Sequence, residues 1–169
     1  MNLSQDARSF VPDAHNGRML RDAFGRFATG VTVVTTQGAD GCVAITANSF
    51  SSVSLNPPLV LWSPARSGAR YPVFAAAEHY AIHVLAADQA EMAWAVARNR
   101  DALEGRTMDL NNEGVPVLER CLARFDCRRF ALHEAGDHAI VVGHVLRATL
   151  SDGEPLAFYA GKIASIAQD

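Results

Sequence analysis

The chain has 169 residues, of which 49% are hydrophobic and 20% are charged, and its formal net charge is −3. This length is usual for a single domain, and the sparse, balanced charge excludes a disordered tail or a protein that coats nucleic acid. No apolar run approaches the ~20 residues that span a bilayer, and segment 1–16 has no signal-peptide pattern. We therefore expect a cytoplasmic protein without membrane or nucleic-acid partners.

The first third of the chain predicts a loose arm, a helix and then strands. After the arm at 1–16, apolar residues recur at helical spacing and predict an amphipathic helix that ends near Gly30. β-Branched residues at 30–36 predict a strand, and Asp40-Gly41 predicts the turn of a hairpin that returns through 42–47. A polar, hydroxyl-rich stretch at 48–54 then leads to another strand at 59–62.

The rest of the chain alternates short helices with strands. A loop at 66–70 precedes a brief helix at 72–77, and a second helix at 88–98 has Asp88 as its predicted N-cap. Residues 99–114 are predicted to form a long polar segment between this helix and the next strand. The remaining strands are predicted at 80–85, 121–133, 138–150 and 156–159, with residues 134–137 joining the two long ones.

Six or more strands in hairpin order, with helices interspersed, predict a mainly β fold with flanking helices. The strands follow each other too closely for the crossover helices of a parallel sheet, so we expect a closed or nearly closed antiparallel barrel. The chain contains no internal repeat and no linker. Residues 17–169 are therefore predicted to form one domain.

The basic residues and the cysteines carry two further hints. Fourteen of the fifteen basic residues are arginine, and Lys162 is the only lysine. Codon usage accounts for most of this bias, but an arginine fork suits phosphate, and Arg66, Ser67 and Arg70 lie in one loop where they could form a phosphate clamp. Three cysteines without a C-x-x-C pair fit a reducing compartment.

Candidate ligand-binding residues cluster where the predicted hairpin ends. The segment 46–52 (TANSFSS) offers hydroxyls, an amide and approachable backbone N–H groups, which suit a flat polar ring or a phosphate as well as a solvated turn. His138 follows the turn Gly136-Asp137 and could hold an anionic or amide group of a ligand. The histidine spacings, including His79 and His83, lack carboxylates or cysteines at ligand distance, so no metal site is predicted.

Seven ordered segments between about residues 18 and 166 resemble the flavin reductase-like family, the small reductase components of two-component flavin-dependent monooxygenases. These segments are 27–36 (FATGVTVVTT), 46–50 (TANSF), 52–61 (SVSLNPPLVL), 81–85 (AIHVL), 136–138 (GDH), 143–145 (GHV) and 155–161 (PLAFYAG). The resemblance implies an FMN-binding split barrel, a homodimer, and oxidation of NADH or NADPH with hydride transfer to FMN or FAD. The reduced flavin would pass to a separate oxygenase.

The resemblance also assigns residue roles. It places the isoalloxazine ring beside Thr46, Ala47, Asn48 and Ser49, and the ribityl chain and phosphate beside Ser51, Ser63, Arg66 and Ser67. His138 would orient the nicotinamide, because hydride transfer depends chiefly on positioning.

The chain departs from the family pattern at two places. Gly68-Ala69-Arg70 stands where a second hydroxyl residue is common in the phosphate loop, so Arg70 could supply that contact, with Arg98 and Arg100 as weaker candidates. His83 stands where asparagine is common and would bear on flavin affinity. Two alternatives on the same barrel stay open: a non-catalytic flavin carrier, and an enzyme like pyridoxamine-phosphate oxidase.

Overall fold

The computed structural model of the chain describes residues 7–99, 101–103, 108–164 and 166. Its helices are α1 (Gly17–Phe24), α2 (Tyr71–Ala76) and α3 (Ala90–Arg98), and a 3-10 turn at Ala87–Gln89 leads into α3. Its strands are β1 (Thr29–Gly30), β2 (Thr32–Gly38), β3 (Gly41–Ala47), β4 (Ser51–Leu55), β5 (Pro58–Trp62), β6 (His79–Val84), β7 (Asp109–Leu110), β8 (Pro116–Val117), β9 (Ala123–Ala135), β10 (His138–Leu150), β11 (Ala157–Tyr159) and β12 (Lys162–Ala164).

Seven strands form one antiparallel sheet in the order β3-β2-β6-β9-β10-β5-β4. Three hairpins supply half of its six neighbouring pairs: β2 with β3, β4 with β5, and β9 with β10. Two small sheets accompany it, β1-β11-β12 and β7-β8. The prediction of a mainly β, antiparallel fold is confirmed. No strand pairing among the described residues closes the main sheet, so barrel closure stays a prediction.

The two edge strands of the main sheet are neighbours in the chain. Only residues 48–50 separate the end of β3 at Ala47 from the start of β4 at Ser51. Because consecutive Cα atoms lie 3.8 Å apart, these four steps span at most ~15 Å. The sheet must therefore curl until its two edges approach each other at this connection.

The central strands are buried on both faces, which explains their unbroken runs of β-branched and apolar residues. Val33 belongs to a cluster with Leu85 and with Val96 of α3. Val34 points to the opposite face and packs in a cluster with Trp62 and Tyr80. Since alternate residues of a strand face opposite sides, β2 contributes to both clusters.

The first helix is shorter than predicted. The helix ends at Phe24, where the Gly25 N–H donates to the Arg21 carbonyl, rather than near Gly30. Phe24 and Phe27 remain 69% and 78% exposed, so no packed face extends the helix. The predicted strand at 30–36 is also divided, because β1 pairs with β11 whereas β2 pairs with β3 and β6.

Three further local predictions need correction. Asp88 does not cap α3, because α3 begins two residues later and the Asp88 carboxylate accepts from Arg120 at 2.8 Å, while the Gln89 side chain accepts from the Ala86 N–H and so caps the 3-10 turn. The polar segment predicted at 99–114 contains β7, which pairs with the buried strand β8. The closing strand β11 is followed by β12, which the sequence pattern does not predict.

The three cysteines are free, as a reducing compartment leads one to expect. Burial raises the pKa of the Cys42 thiol to about 11 and that of Cys127 to about 12, so both behave as small apolar side chains. No helix within the described ranges is long and apolar enough to cross a membrane.

Candidate functional site

A cleft of about 480 Å³ opens beside the connection that joins the two edge strands of the sheet. It is lined by the end of β3 and the connection after it, the loop after β5, the end of α3 and the first residue of β10. Seven of the ten predicted site residues line it: Thr46, Ala47, Asn48, Ser49, Ser63, Arg70 and His138. The curl of the sheet thus brings together residues that are up to 92 positions apart in the chain.

Two hydroxyl groups of the β3 end build the wall of the cleft. Thr46 Oγ1 donates to the Ala93 carbonyl at 2.7 Å and holds α3 against β3. Ser49 Oγ accepts from the Ser63 N–H at 2.9 Å and ties the β3–β4 connection to the loop after β5. These hydroxyls therefore fix the shape of the cleft.

Asn48 stands apart from its two neighbours. Its side chain is exposed at the cleft, and within the described ranges no hydrogen bond to its amide is found. An amide can donate and accept at once, as the edge of a ring bearing carbonyls and ring nitrogens requires. Asn48 is thus the residue of the 46–49 run whose side chain is available to a ligand.

His138 is held at the cleft by the loop after β5. The Ala139 N–H donates to the Pro64 carbonyl at 3.0 Å, and the Arg66 N–H donates to the Asp137 carbonyl at 2.9 Å. The Nδ1–H of His138 donates to Asp137 Oδ1 at 2.7 Å, which lowers the pKa of the Asp137 carboxyl. Because this bond occupies Nδ1, Nε2 is the ring nitrogen that remains for a ligand.

The loop arginines have partners that the sequence does not show. Arg70 Nη1 donates to the carbonyls of Ala44 at 2.6 Å and Val96 at 2.8 Å, which joins β3 to the last turn of α3. Arg66 pairs with Glu134 at 3.2 Å and does not line the cleft. Arg70 therefore lines the cleft and Arg66 does not, and a phosphate clamp that uses both arginines stays a prediction.

Ser51 and Ser67 also lie outside the lining of the cleft. Ser51 Oγ donates to the Ser52 carbonyl, and Ser51 belongs to the exposed edge strand β4. Their predicted contacts with a ribityl chain or phosphate stay predictions.

A second, apolar cavity adjoins the cleft. It measures about 160 Å³ and shares Thr46 and Asn48 with the cleft. Trp94 lines this cavity, Arg98 lines the cleft, and the Arg98 guanidinium lies 5.2 Å from the Trp94 ring centroid. Sequence analysis indicates Arg98 only as a weaker candidate and offers no signal for Trp94, while Arg100 lies outside the described residues.

His83 does not belong to the cleft. It is fully buried, its Nδ1–H donates to the Val33 carbonyl at 3.0 Å, and its Nε2 accepts from the Leu118 N–H at 3.2 Å. Burial lowers the pKa of His83 to about 4, so the ring is neutral. Both ring nitrogens are occupied inside the core, so any influence of His83 on flavin affinity would have to be indirect, and that expectation stays a prediction. No group of metal-ligating side chains occurs among the described residues.

Comparison with known proteins agrees with this geometry. The model of the flavin reductase like domain matches residues 24–167. The chain belongs to this family. A curated relative, the FMN reductase (NADH) SmoA of Agrobacterium fabrum, is 55% identical over 152 residues, which cover 90% of this chain and 87% of the relative.

Two further family members are informative. The reductase component of the flavin-dependent trigonelline monooxygenase of Acinetobacter baylyi is 43% identical over 85% of this chain, which spans about half (47%) of that protein. The structure of the Streptomyces globisporus NADH:FAD oxidoreductase SgcE6 with NAD and FAD fragments superposes with a TM-score of 0.86 at 35% identity, covering 95% of this chain and 99% of that one.

Proposed function

We propose that this protein is an NAD(P)H:flavin oxidoreductase that reduces FMN or FAD by hydride transfer and supplies the reduced flavin to a separate monooxygenase. The observation that carries the proposal is the cleft, which joins the amide of Asn48, the guanidinium of Arg98 and the half-exposed His138. Relatives named as NADH-dependent flavin reductases support it.

The residues of the cleft fit a flavin. The volume of about 480 Å³ lies within the range of ~300–1,000 Å³ that is usual for small-molecule sites. Asn48 provides a donor and an acceptor for the polar edge of the ring, and no carboxylate is among the described lining residues to repel a phosphate. FMN and FAD both have this ring and a phosphate, so both are candidate ligands.

A bound flavin would supply the ring that accepts a hydride from the nicotinamide. The part of this chain is to hold the two ring systems in contact, since hydride transfer needs close approach and alignment rather than an acid or a base. Asn48 would orient the flavin, and His138 Nε2 would orient the nicotinamide amide. The Ser49–Ser63 and Thr46–Ala93 bonds keep the walls at a fixed separation.

We further propose that the main sheet forms a split barrel with its seam between β3 and β4. The short connection at 48–50 supports this, since it holds the two edges within ~15 Å of each other. On this proposal the cleft lies beside the seam, where the end of β3 and the connection at 48–50 offer groups to a ligand.

A homodimer is the assembly that we propose for the protein. The edge strand β4 exposes Val53 and Leu55, the latter at 96%, and the neighbouring long hairpin exposes Phe130. Uncovered apolar side chains beside an unpaired strand edge favour burial against a second copy. Sedimentation at micromolar concentration tests this, and a monomer of 18.2 kDa would contradict it.

The partner proposed for the reduced flavin is a separate oxygenase component in the cytoplasm. The Acinetobacter relative, whose name makes it the reductase component of a monooxygenase, supports the first part. The three free cysteines support the second.

The proposed reaction is tested by following nicotinamide oxidation at 340 nm. Purified protein is mixed with NADH or NADPH and with FMN, FAD or riboflavin in all six combinations. We expect turnover with at least one pair and none without flavin. Flavin binding without nicotinamide oxidation would instead indicate a carrier, and an absence of both would reject the proposal.

A further inference from the structure

We infer that Arg98 is the residue by which the cleft distinguishes a phosphorylated flavin from riboflavin. This inference rests on the proposed function and adds the residue that recognises the flavin phosphate.

The charge of the cleft favours an anionic ligand. Arg70 and Arg98 line it, and no aspartate or glutamate is among the described lining residues. Of the acidic residues near the lining, Asp137 pairs with His138 and is itself 94% exposed, and Asp101 shares a neighbouring pocket with Arg70. A guanidinium at a concave site attracts anions such as phosphate.

Arg98 is the better placed of these cations. Arg70 Nη1 already donates to two backbone carbonyls, so its guanidinium is engaged in holding α3 to β3. No carboxylate among the described residues pairs with Arg98, whose guanidinium lies over the Trp94 ring. A guanidinium stacked on an aromatic face keeps its edge N–H groups, which suit two phosphate oxygens.

Two contacts fix the position of Arg98. The bond from Arg70 Nη1 to the Val96 carbonyl, at 2.8 Å, holds the last turn of α3. The Trp94 ring packs edge-on against Phe158, with centroids 6.4 Å apart, and this contact holds the ring on which the Arg98 guanidinium lies. Arg98 therefore lies where the cleft, which it lines, adjoins the apolar cavity that Trp94 lines.

The test compares dissociation constants for FMN and riboflavin, two ligands that differ only in the phosphate. Losing a charge-assisted, bidentate contact should weaken FMN binding by Arg98→Gln ~10- to 100-fold and change riboflavin binding less than twofold. Trp94→Leu, which removes the support of the guanidinium, should reduce the preference for FMN ~2- to 5-fold. Arg128→Gln removes an exposed arginine six residues along the β9–β10 ladder from the cleft and should change neither constant.

Each other outcome overturns the inference. An unchanged ratio of the two constants in Arg98→Gln would remove Arg98 from phosphate recognition. If Arg66→Gln, rather than Arg98→Gln, abolishes the difference between the two dissociation constants, Arg66 contacts the phosphate, as in the clamp that the sequence predicts. A raised KM for NADH with riboflavin as acceptor, together with an unchanged ratio, would assign Arg98 to the nicotinamide nucleotide. If the wild-type protein binds neither flavin, the proposed function itself fails. Melting temperatures of all variants check that they fold.

Discussion

Two histidines on the same sheet show how environment decides what one side chain can do. His83 lies on the central strand β6 and is fully buried, whereas the side chain of His138 is 45% exposed at the first position of β10. Backbone groups from two other parts of the chain, Val33 and Leu118, hold both nitrogens of His83. His138 is held through one nitrogen by the carboxylate of its neighbour Asp137.

This difference separates a structural role from a binding role. His83 connects β2 to the segment before β9 and has no ring atom left for a ligand. His138 keeps Nε2 for a ligand and stands where the loop after β5 meets the turn of the long hairpin. We therefore expect His83 to contribute to the free energy of unfolding and His138 to contribute to the affinity for the nicotinamide.

The largest effect is expected from His83→Leu. Leucine fills a similar volume but leaves the Leu118 N–H buried without its acceptor Nε2, at ~1–3 kcal/mol, and it removes one hydrogen bond from the carbonyl of Val33, a residue that also pairs with β6 in the sheet. We expect the free energy of unfolding in urea to fall by about 3 kcal/mol. His83→Asn, which keeps a donor and an acceptor, should lose about half as much. Dissociation constants for flavin should not change in either folded variant, and a change there would contradict the separation of roles.

A pH dependence of stability should follow from the same residue. The pKa of His83 is lowered from 6.5 to about 4 by burial, so below pH 6.5 the unfolded chain takes up a proton that the folded chain refuses. The contribution of His83 to the free energy of unfolding is therefore complete above pH 6.5. It should fall by ~1.4 kcal/mol per pH unit down to about pH 4, about 3 kcal/mol in all.

Urea titrations of the wild type and His83→Asn at pH 7, 5.5 and 4 check this expectation. All other titrating groups are shared, so the difference between the two proteins isolates His83. If the free energies of unfolding of the two proteins change equally with pH, the buried ring of His83 is not the source of the pH dependence.

The parts of the fold that the sequence predicts well are those with strong local signals. The hairpin of β2 and β3 follows from Asp40-Gly41 between β-branched runs, and the turn at Gly136-Asp137 separates two long strands as expected. Strand β4 was described only as a polar stretch, since Ser51 and Ser52 have little strand preference of their own. Its pairing with β5 makes it a strand, and such long-range pairing overrides local preference.

The same contrast applies to the cleft. Residues 46–49 and His138 could be found because a strand end and a turn mark them in the sequence. The sequence ranks Arg70 above Arg98, but it does not show that Arg70 is engaged by the carbonyl of Val96, 26 residues away. A long side chain chooses its partner in the folded structure, and neither spacing nor composition encodes that choice.

A smaller effect, on kinetics rather than stability, is expected from His138→Ala. Removing the ring deletes the Nε2 contact with the nicotinamide while the turn remains fixed by the backbone bonds of Ala139 and Arg66. We expect the KM for NADH to rise about tenfold, the worth of about one hydrogen bond, with kcat changed less than threefold. The free energy of unfolding should change by less than about 0.5 kcal/mol. An unchanged KM would take His138 out of the nicotinamide site.

The smallest effect is expected from Asp137→Asn. The amide oxygen of asparagine can still accept the hydrogen bond from His138 Nδ1, so the orientation of the ring is kept and only the negative charge is lost. Because the Asp137 side chain is 94% exposed, solvent screens that charge, and we expect the KM for NADH to change only ~2-fold. Asp137→Ala removes the acceptor as well and should approach the KM of His138→Ala. If both substitutions have the same small effect, the hydrogen bond does not position the ring, and the exposed histidine would depend on the backbone of the turn alone.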